Sequence, residues 1–283
     1  MLTAIRWLLA ITGWFSAPLS ARLAGVVFCT PMPLRLTPSR KEPPYGGEML
    51  QVPCGRRRLA LYRWAPAGPE HAGKVLLVHG WGGLGWQWRR FVEPLRQCGF
   101  EVLALDLPGH GRSGGRTTNL PQVVRAVEKL AEIFGPFAGV VGHSLGGNAL
   151  AVAVARGLAA DRLVLIGALA DPGRITEEFA AMLGISENVR AAMQRHFERR
   201  EGISFPELHA DHTGPRIQPA ALVVHDRDDA VIPYDDGLRY ARKIHDARLL
   251  PTEGLGHRRI LKDDGVIGEV VSFLARESRQ VAA

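Results

Sequence analysis

Apolar and polar residues change rhythm several times along this chain. From Met49 to Pro66, "MLQVPCGRRRLALYRWAP" alternates apolar and polar side chains around Gly55, the period-2 pattern of an antiparallel hairpin. Short continuous apolar runs follow: "KVLLVHG" from Lys74, "EVLALDL" from Glu101, "AGVVGH" from Ala138, "RLVLIGAL" from Arg162 and "ALVVHD" from Ala221, with a weaker "ARLLPTEG" from Ala247. Runs without alternation predict strands covered on both faces. Between them the period lengthens to that of a helix, near Trp86–Cys98, Leu120–Phe134, Leu145–Leu158, Tyr234–Ile244 and Arg259–Ala275. Strand and helix in such alternation predict an α/β fold, a mostly parallel sheet flanked by helices on both faces.

Two stretches break the rhythm. About 50 residues separate "VLIGALA" from the next apolar run, long for an ordinary crossover. Within them Ile185, Val189, Met193 and Phe197 recur every fourth residue, which predicts a small helical lid over about 171–216. Its apolar face either lines a pocket or docks on the main domain, and docking is the simpler expectation. The other stretch is residues 1–31. No charge lies between Arg6 and Arg22, yet Gly13 and Pro18 interrupt a segment already short for a membrane span. Thr3, Arg6, Ala10, Gly13, Ala17 and Ser20 form a narrow small or polar stripe on an otherwise apolar helix. Three readings compete: a secretory signal without a clean cleavage site, an in-plane membrane helix, and a helix packed on the protein's own surface. The tryptophans and flanking arginines favour peripheral membrane contact. Residues 32–48, rich in Pro, Arg and Ser, read as a linker to a main domain over 49–278.

Composition narrows the classes. The chain has 283 residues, 46% hydrophobic and 22% charged, enough for one large globular domain. The formal net charge of +7 comes from single arginines and short pairs with no nucleic-acid motif, so no nucleic-acid partner is expected. Cys29, Cys54 and Cys98 are odd in number and lack metal-ligand spacing, which argues against a disulfide framework or a zinc site. His209, Asp211 and His212 in "HADHTG" have no further ligand partner and read as lid surface. No metal or organic cofactor is expected. The sequence does not fix the compartment; a cytoplasmic chain touching a membrane is the expectation.

The candidate chemistry lies at the strand ends, where open parallel sheets bind ligands. There the chain places His79-Gly80-Trp81-Gly82-Gly83, Asp106, Gly142-His143-Ser144-Leu145-Gly146 and Asp226–Asp229, and after the last strand His257 in "GLGHRRIL". A serine hydroxyl needs a base to take its proton, and histidine titrates in the right range. A carboxylate on the far ring nitrogen fixes the imidazole tautomer. Charge developing on a substrate oxygen needs preorganised N–H donors. Leu145 N–H, opening the helix after Ser144, and Trp81 N–H in the glycine-rich loop are the candidates. Asp106 and His110 in "DLPGHG" read as loop-shaping residues, His143 as packing, and Trp86 and Trp88 mainly as core.

Taken together, "HGWGG", "DLPGHGRSGG", "GHSLGG", "HDRDDAVIP" and "GLGH" resemble, in order and spacing, the motifs of α/β-hydrolase-fold serine hydrolases of the esterase and lipase type, over about Leu50–Leu274. The resemblance implies Ser144 as nucleophile, His257 as base and Asp229 as acid, with Asp228 and Asp226 as rivals for the acid. It implies hydrolysis of a carboxylic ester of a small-molecule acyl substrate, and the small apolar lid favours a hydrophobic acyl chain over a sugar or peptide. Thioester or carbon–carbon hydrolysis uses the same three groups, and a non-catalytic binding module would reuse the same pocket.

Overall fold

The structure is a computed structural model; it describes residues 2–31, 43 and 45–276. The linker assigned to 32–48 lies largely outside the described residues, as does the end of the domain beyond 276. The hairpin forms as β1 (Glu48–Cys54) and β2 (Arg57–Trp64), antiparallel and turning at Gly55. The buried runs form β3 (Lys74–Val78), β4 (Glu101–Leu105), β5 (Gly139–His143), β6 (Arg162–Ile166), β7 (Ala220–Asp226) and β8 (Ala247–Thr252). All eight strands make one sheet in the order β1-β2-β4-β3-β5-β6-β7-β8. From β4 to β8 every pairing is parallel, while β2 joins β4 antiparallel.

Alternate residues of each strand serve opposite faces, as a pleated ladder requires. On one face Leu76, Val78, Leu103, Val140, Leu163 and Val223 meet α4 (Leu120–Phe134), α5 (Leu145–Ala155) and α9 (Tyr234–Lys243). On the other face Val75, Leu77, Val102, Val141, Val164 and Leu222 meet α3 (Arg89–Gln97) and α11 (Asp264–Ala275). α3 is shorter than its pattern suggested, because Gly85–Trp88 winds as a 3-10 turn first. Trp88 lies wholly in the core, edge-on to Phe91. The chain runs from β3 to β4 toward one edge and from β5 onward toward the other, so the switch point of the sheet lies between β3 and β5. The glycine-rich loop and Ser144 flank that point.

The N-terminal segment differs from the single helix its pattern predicted. It forms two helices, α1 (Leu2–Phe15) and α2 (Ala17–Phe28), broken at Ser16. Ser16 caps α2 by accepting from the Leu19 N–H, with a proline in the first turn. The hairpin closes where Ser20 Oγ donates to Leu9 O at 2.9 Å. The β6–β7 connection carries α6 (Pro172–Leu183), α7 (Glu187–Glu201) and the single turn α8 (Ala210–Thr213). The apolar face of α7 does not dock on the main sheet. Val189, Met193 and Phe197 pack with Leu9, Ala21, Ala24 and Leu183 in a separate small core shared with the N-terminal hairpin. The docking on the main domain expected of this face is replaced by packing on the N-terminal hairpin, whose own apolar side needs the same cover.

This connection is tied to the main domain by buried polar contacts. The two Nδ2 hydrogens of Asn148 of α5 are shared among Leu169 O, Leu208 O and the Tyr240 hydroxyl, all at 2.9–3.0 Å. Asp236 accepts from Ala170 N and Arg174. Glu201 at the end of α7 accepts from Asn119, Gln122 and Arg125. Replacing Asn148 by Ala strands buried acceptors on both segments, so urea unfolding of Asn148→Ala is expected to show a loss of about 1–3 kcal/mol. Unchanged stability would mean the knot is energetically idle.

Candidate active site

Ser144 sits where β5 turns into α5, with φ 55° and ψ −122°. A non-glycine residue at positive φ is strained by about 1–3 kcal/mol and needs neighbours that hold it there. Those neighbours approach too closely for side chains. A Cβ on Gly146 would lie 2.4 Å from His79 O, and one on Gly80 would lie 2.7 Å from Ser144 Cβ. The spacing of glycines in "GHSLGG" therefore follows from packing: β3, its loop and the start of α5 converge on one point. Ser144 makes no side-chain capping bond to its helix, so the hydroxyl is free of that competitor.

His257 is the second residue of the short helix α10 (Gly256–Arg259), at the head of the irregular turns that lead into α11. The continuous helix expected from Arg259 is instead divided, with a 3-10 turn over Ile260–Lys262. His257 Nδ1 lies 2.7 Å from Asp229 Oδ2. Asp229 Oδ1 accepts from the N–H groups of Val231 and Ile232. Burial opposes the charge on Asp229, but the hydrogen bond from His257 and the two amides prevail and hold its carboxyl below the usual range. Of the three aspartates the sequence left open, Asp229 is the one that meets the imidazole. Asp226 instead accepts from Thr252, Leu255 N and Asp228 N, and Asp228 accepts from Gly254 N. These two pin the histidine loop to the end of β7.

The His257 ring lies 4.5 Å from the His143 ring, centroid to centroid, beside the residue that precedes Ser144. Among the described residues no hydrogen bond joins Ser144 Oγ to the imidazole, the link that commonly tightens only with substrate present. The segment after β6 passes close by. A Cβ at Gly167 would lie 3.3 Å from Asp229 Oδ2 and 3.4 Å from His257 Nδ1.

Two candidate backbone donors belong to the segments that meet at Ser144. Leu145 is the first residue of α5, where N–H groups have no intrahelical acceptor. Trp81 follows Gly80 in a loop braced from both sides. His79 Nδ1 donates to Gly80 O at 2.7 Å while its Nε2 accepts from Leu107 N. His110 Nε2 accepts from Gly82 N, and Gly83 N donates to Gly80 O. Asp106 accepts from Gly85 N, Arg112 N and the Tyr62 hydroxyl. The shaping roles expected of Asp106 and His110 are visible in these bonds. The bracing roles of His79 and His143 were not foreseen. A histidine closing each of two adjacent strands, in "LLVHG" and "VVGHS", was the available signal. His143 Nε2 donates to the His257 carbonyl at 2.9 Å and so fixes the loop that carries the imidazole.

The other sequence candidates lie elsewhere. His209 caps α8 by accepting from Asp211 N. Among the described residues no group of three or more His, Cys, Asp or Glu is placed to hold a metal ion. The three cysteines are free thiols, and burial pushes Cys29 up to about 12.

The alpha/beta hydrolase family profile matches residues 75–269, and the chain belongs to that family. It is 31% identical over 102 residues to the monoacylglycerol lipase of Mycolicibacterium smegmatis, covering 33% of this chain and 36% of that protein. It is 27% identical over 233 residues to 2-hydroxy-6-oxononadienedioate/2-hydroxy-6-oxononatrienedioate hydrolase 1 of Dechloromonas aromatica, covering 65% and 80%. The chain spans only 26% and 30% of two further relatives, acetyltransferase components of acetoin cleaving systems. The solved structure of Est1E from Butyrivibrio proteoclasticus with ferulic acid superimposes with TM-score 0.63 at 19% identity, over 80% of this chain and 96% of that one.

The buried histidines make the fold sensitive to acid. His79 and His143 are pushed down from 6.5 to about 3, by burial first and neighbouring imidazoles second. Between those values the unfolded chain binds the protons and the folded chain does not. Stability is therefore full above about 6.5 and falls as pH drops toward about 3, by about 1.4 kcal/mol per pH unit for each residue. Urea unfolding of His143→Gln across this range is expected to show a slope shallower by about one proton than wild type. Equal slopes would contradict a neutral buried His143.

Proposed function

We propose that the protein is a serine hydrolase that cleaves a carboxylic ester with a hydrophobic acyl group through an acyl-enzyme. Ser144 Oγ attacks the ester carbonyl as His257 Nε2 takes its proton. Asp229 holds the imidazole in the required tautomer and stabilises the imidazolium. The tetrahedral oxyanion is received by the N–H groups of Leu145 and Trp81; each such donor is worth about 3–4 kcal/mol in the transition state. Gly82 and Gly83 N–H are spent inside the loop, and the Trp81 N–H is the donor assigned there. The alkoxide leaves with the proton from His257, and water, deprotonated by the same base, releases the acid and restores Ser144. No step calls on a metal or organic cofactor.

The observation that carries this reading is the 2.7 Å contact of His257 with Asp229, its ring 4.5 Å from that of His143, the residue before a serine on a strained elbow. Likeness to a monoacylglycerol lipase supports an ester substrate. A second reading, hydrolysis of a carbon–carbon bond by the same groups, is favoured by the Dechloromonas aromatica relative, 80% of which is covered.

A panel of p-nitrophenyl esters, acyl-CoA thioesters and a vinylogous diketone separates these chemistries. The esters are expected to turn over fastest, with activity rising from acetyl to medium acyl chains. Ser144→Ala is expected to abolish fluorophosphonate labelling and lower kcat/KM on the order of 10⁴-fold or more, and Asp229→Asn on the order of 10²–10⁴-fold. Faster turnover of the diketone would transfer the assignment to carbon–carbon hydrolysis. A folded wild-type protein that neither labels nor turns over any substrate would instead be a binding module.

A further inference from the structure

The inner side of the N-terminal hairpin is fully occupied, with Leu9, Ala21 and Ala24 buried against α7. Thr118 N–H donates to Cys29 O at 2.8 Å and ties the end of the hairpin to the main domain. The outer side carries a different set. Trp7, Leu8, Ile11, Trp14 and Phe15 recur at the spacing of one helix face and are exposed by 67, 51, 54, 86 and 77%. Exposed apolar residues scattered singly need no explanation, but a contiguous row of five, two of them tryptophans, does.

Charge identifies the occupant. Within the described hairpin, residues 2–31, the charged side chains are Arg6 and Arg22, with no Asp or Glu. On α2, Arg22 lies exposed between Leu19 and Val26, and on α1, Arg6 precedes the aromatic row. An apolar hairpin whose two charged side chains are both exposed cations suits an anionic surface. A second copy would bring arginine against arginine with no acid to pair. Tryptophan rings, apolar in body with one polar edge, favour the water–lipid boundary. The 14 residues of α1 extend about 21 Å, short of the roughly 30 Å hydrocarbon thickness. No described helix is long and apolar enough to cross a membrane.

We propose that the outer face of α1 docks on an anionic lipid bilayer and lies in the plane of its interface. The rings of Trp7, Trp14 and Phe15 enter the headgroup–acyl boundary, and the arginines meet lipid phosphates. The hairpin remains packed on α7, so the whole domain is held at the surface.

Sedimentation of the full chain with vesicles tests this, comparing pure phosphatidylcholine with mixed phosphatidylcholine–phosphatidylglycerol. The protein is expected to pellet with the mixed vesicles, less with the neutral ones, and less again in high salt. Brominated lipid is expected to quench its tryptophan fluorescence. The triple variant Trp7→Ser/Trp14→Ser/Phe15→Ser is expected to lose about tenfold or more in partitioning while keeping the wild-type turnover of a water-soluble ester and the same circular dichroism. Absence of pelleting with either vesicle overturns the proposal, as does wild-type pelleting by the variant. A lipid-independent dimer that the variant dissolves would assign the face to a second copy and overturn it as well. Because binding is read without turnover, Ser144→Ala is expected to pellet like wild type whether or not the protein is an esterase.

Discussion

Everything at this site depends on one close approach of backbones. β3 with its loop, the end of β5 and the first turn of α5 meet so tightly that Gly80 and Gly146 have no room for a Cβ, and Ser144 is held at φ 55° between them. Relaxing any of these contacts would let the serine backbone return to an ordinary conformation. The hydroxyl would then leave the crevice at the switch point of the sheet. The strain is local, and the surrounding parallel strands, buried on both faces, supply the rigidity that sustains it.

Around that point, polar side chains act as braces rather than reactants. His79 and His110 shape the loop that presents Trp81, and Asp106 holds the following turn to the hairpin through Tyr62. His143 holds the carbonyl of His257, while Asp226 and Asp228 fasten the loop before it. Of the described aspartates, Asp229 is the one hydrogen-bonded to the imidazole itself. Neighbouring aspartates of the same chemistry are thus divided by position. Those nearer β7 take backbone amides of the histidine loop, and the last takes the ring. Keeping His79 and His143 neutral inside a dry core stabilises this arrangement near neutral pH and makes it vulnerable to acid.

The sheet and the strand-end residues were legible because buried parallel strands write themselves as unbroken apolar runs, and function in such folds collects where those runs end. Asp229 was singled out by the motif resemblance alone, with Asp228 and Asp226 as rivals, since "DRDDAVIP" offers several carboxylates within one turn and the register of the loop decides which meets His257. The N-terminal segment misled for a local reason. Its apolar content suggested one helix, whereas Ser16 and Pro18 are a cap and a first-turn proline, signals of a new helix start. The row at Ile185, Val189, Met193 and Phe197 marked a face that must be covered, but periodicity cannot name the cover. Here it is α2, remote from it in sequence and joined to it only in the small core.

The most direct test of the proposed relay is a crystal structure of the protein after reaction with a fluorophosphonate. The account predicts phosphorus bonded to Ser144 Oγ, the phosphoryl oxygen within hydrogen-bond reach of the Leu145 and Trp81 amides, and His257 still paired with Asp229. An adduct on another residue, or a phosphoryl oxygen turned away from both amides, would contradict it.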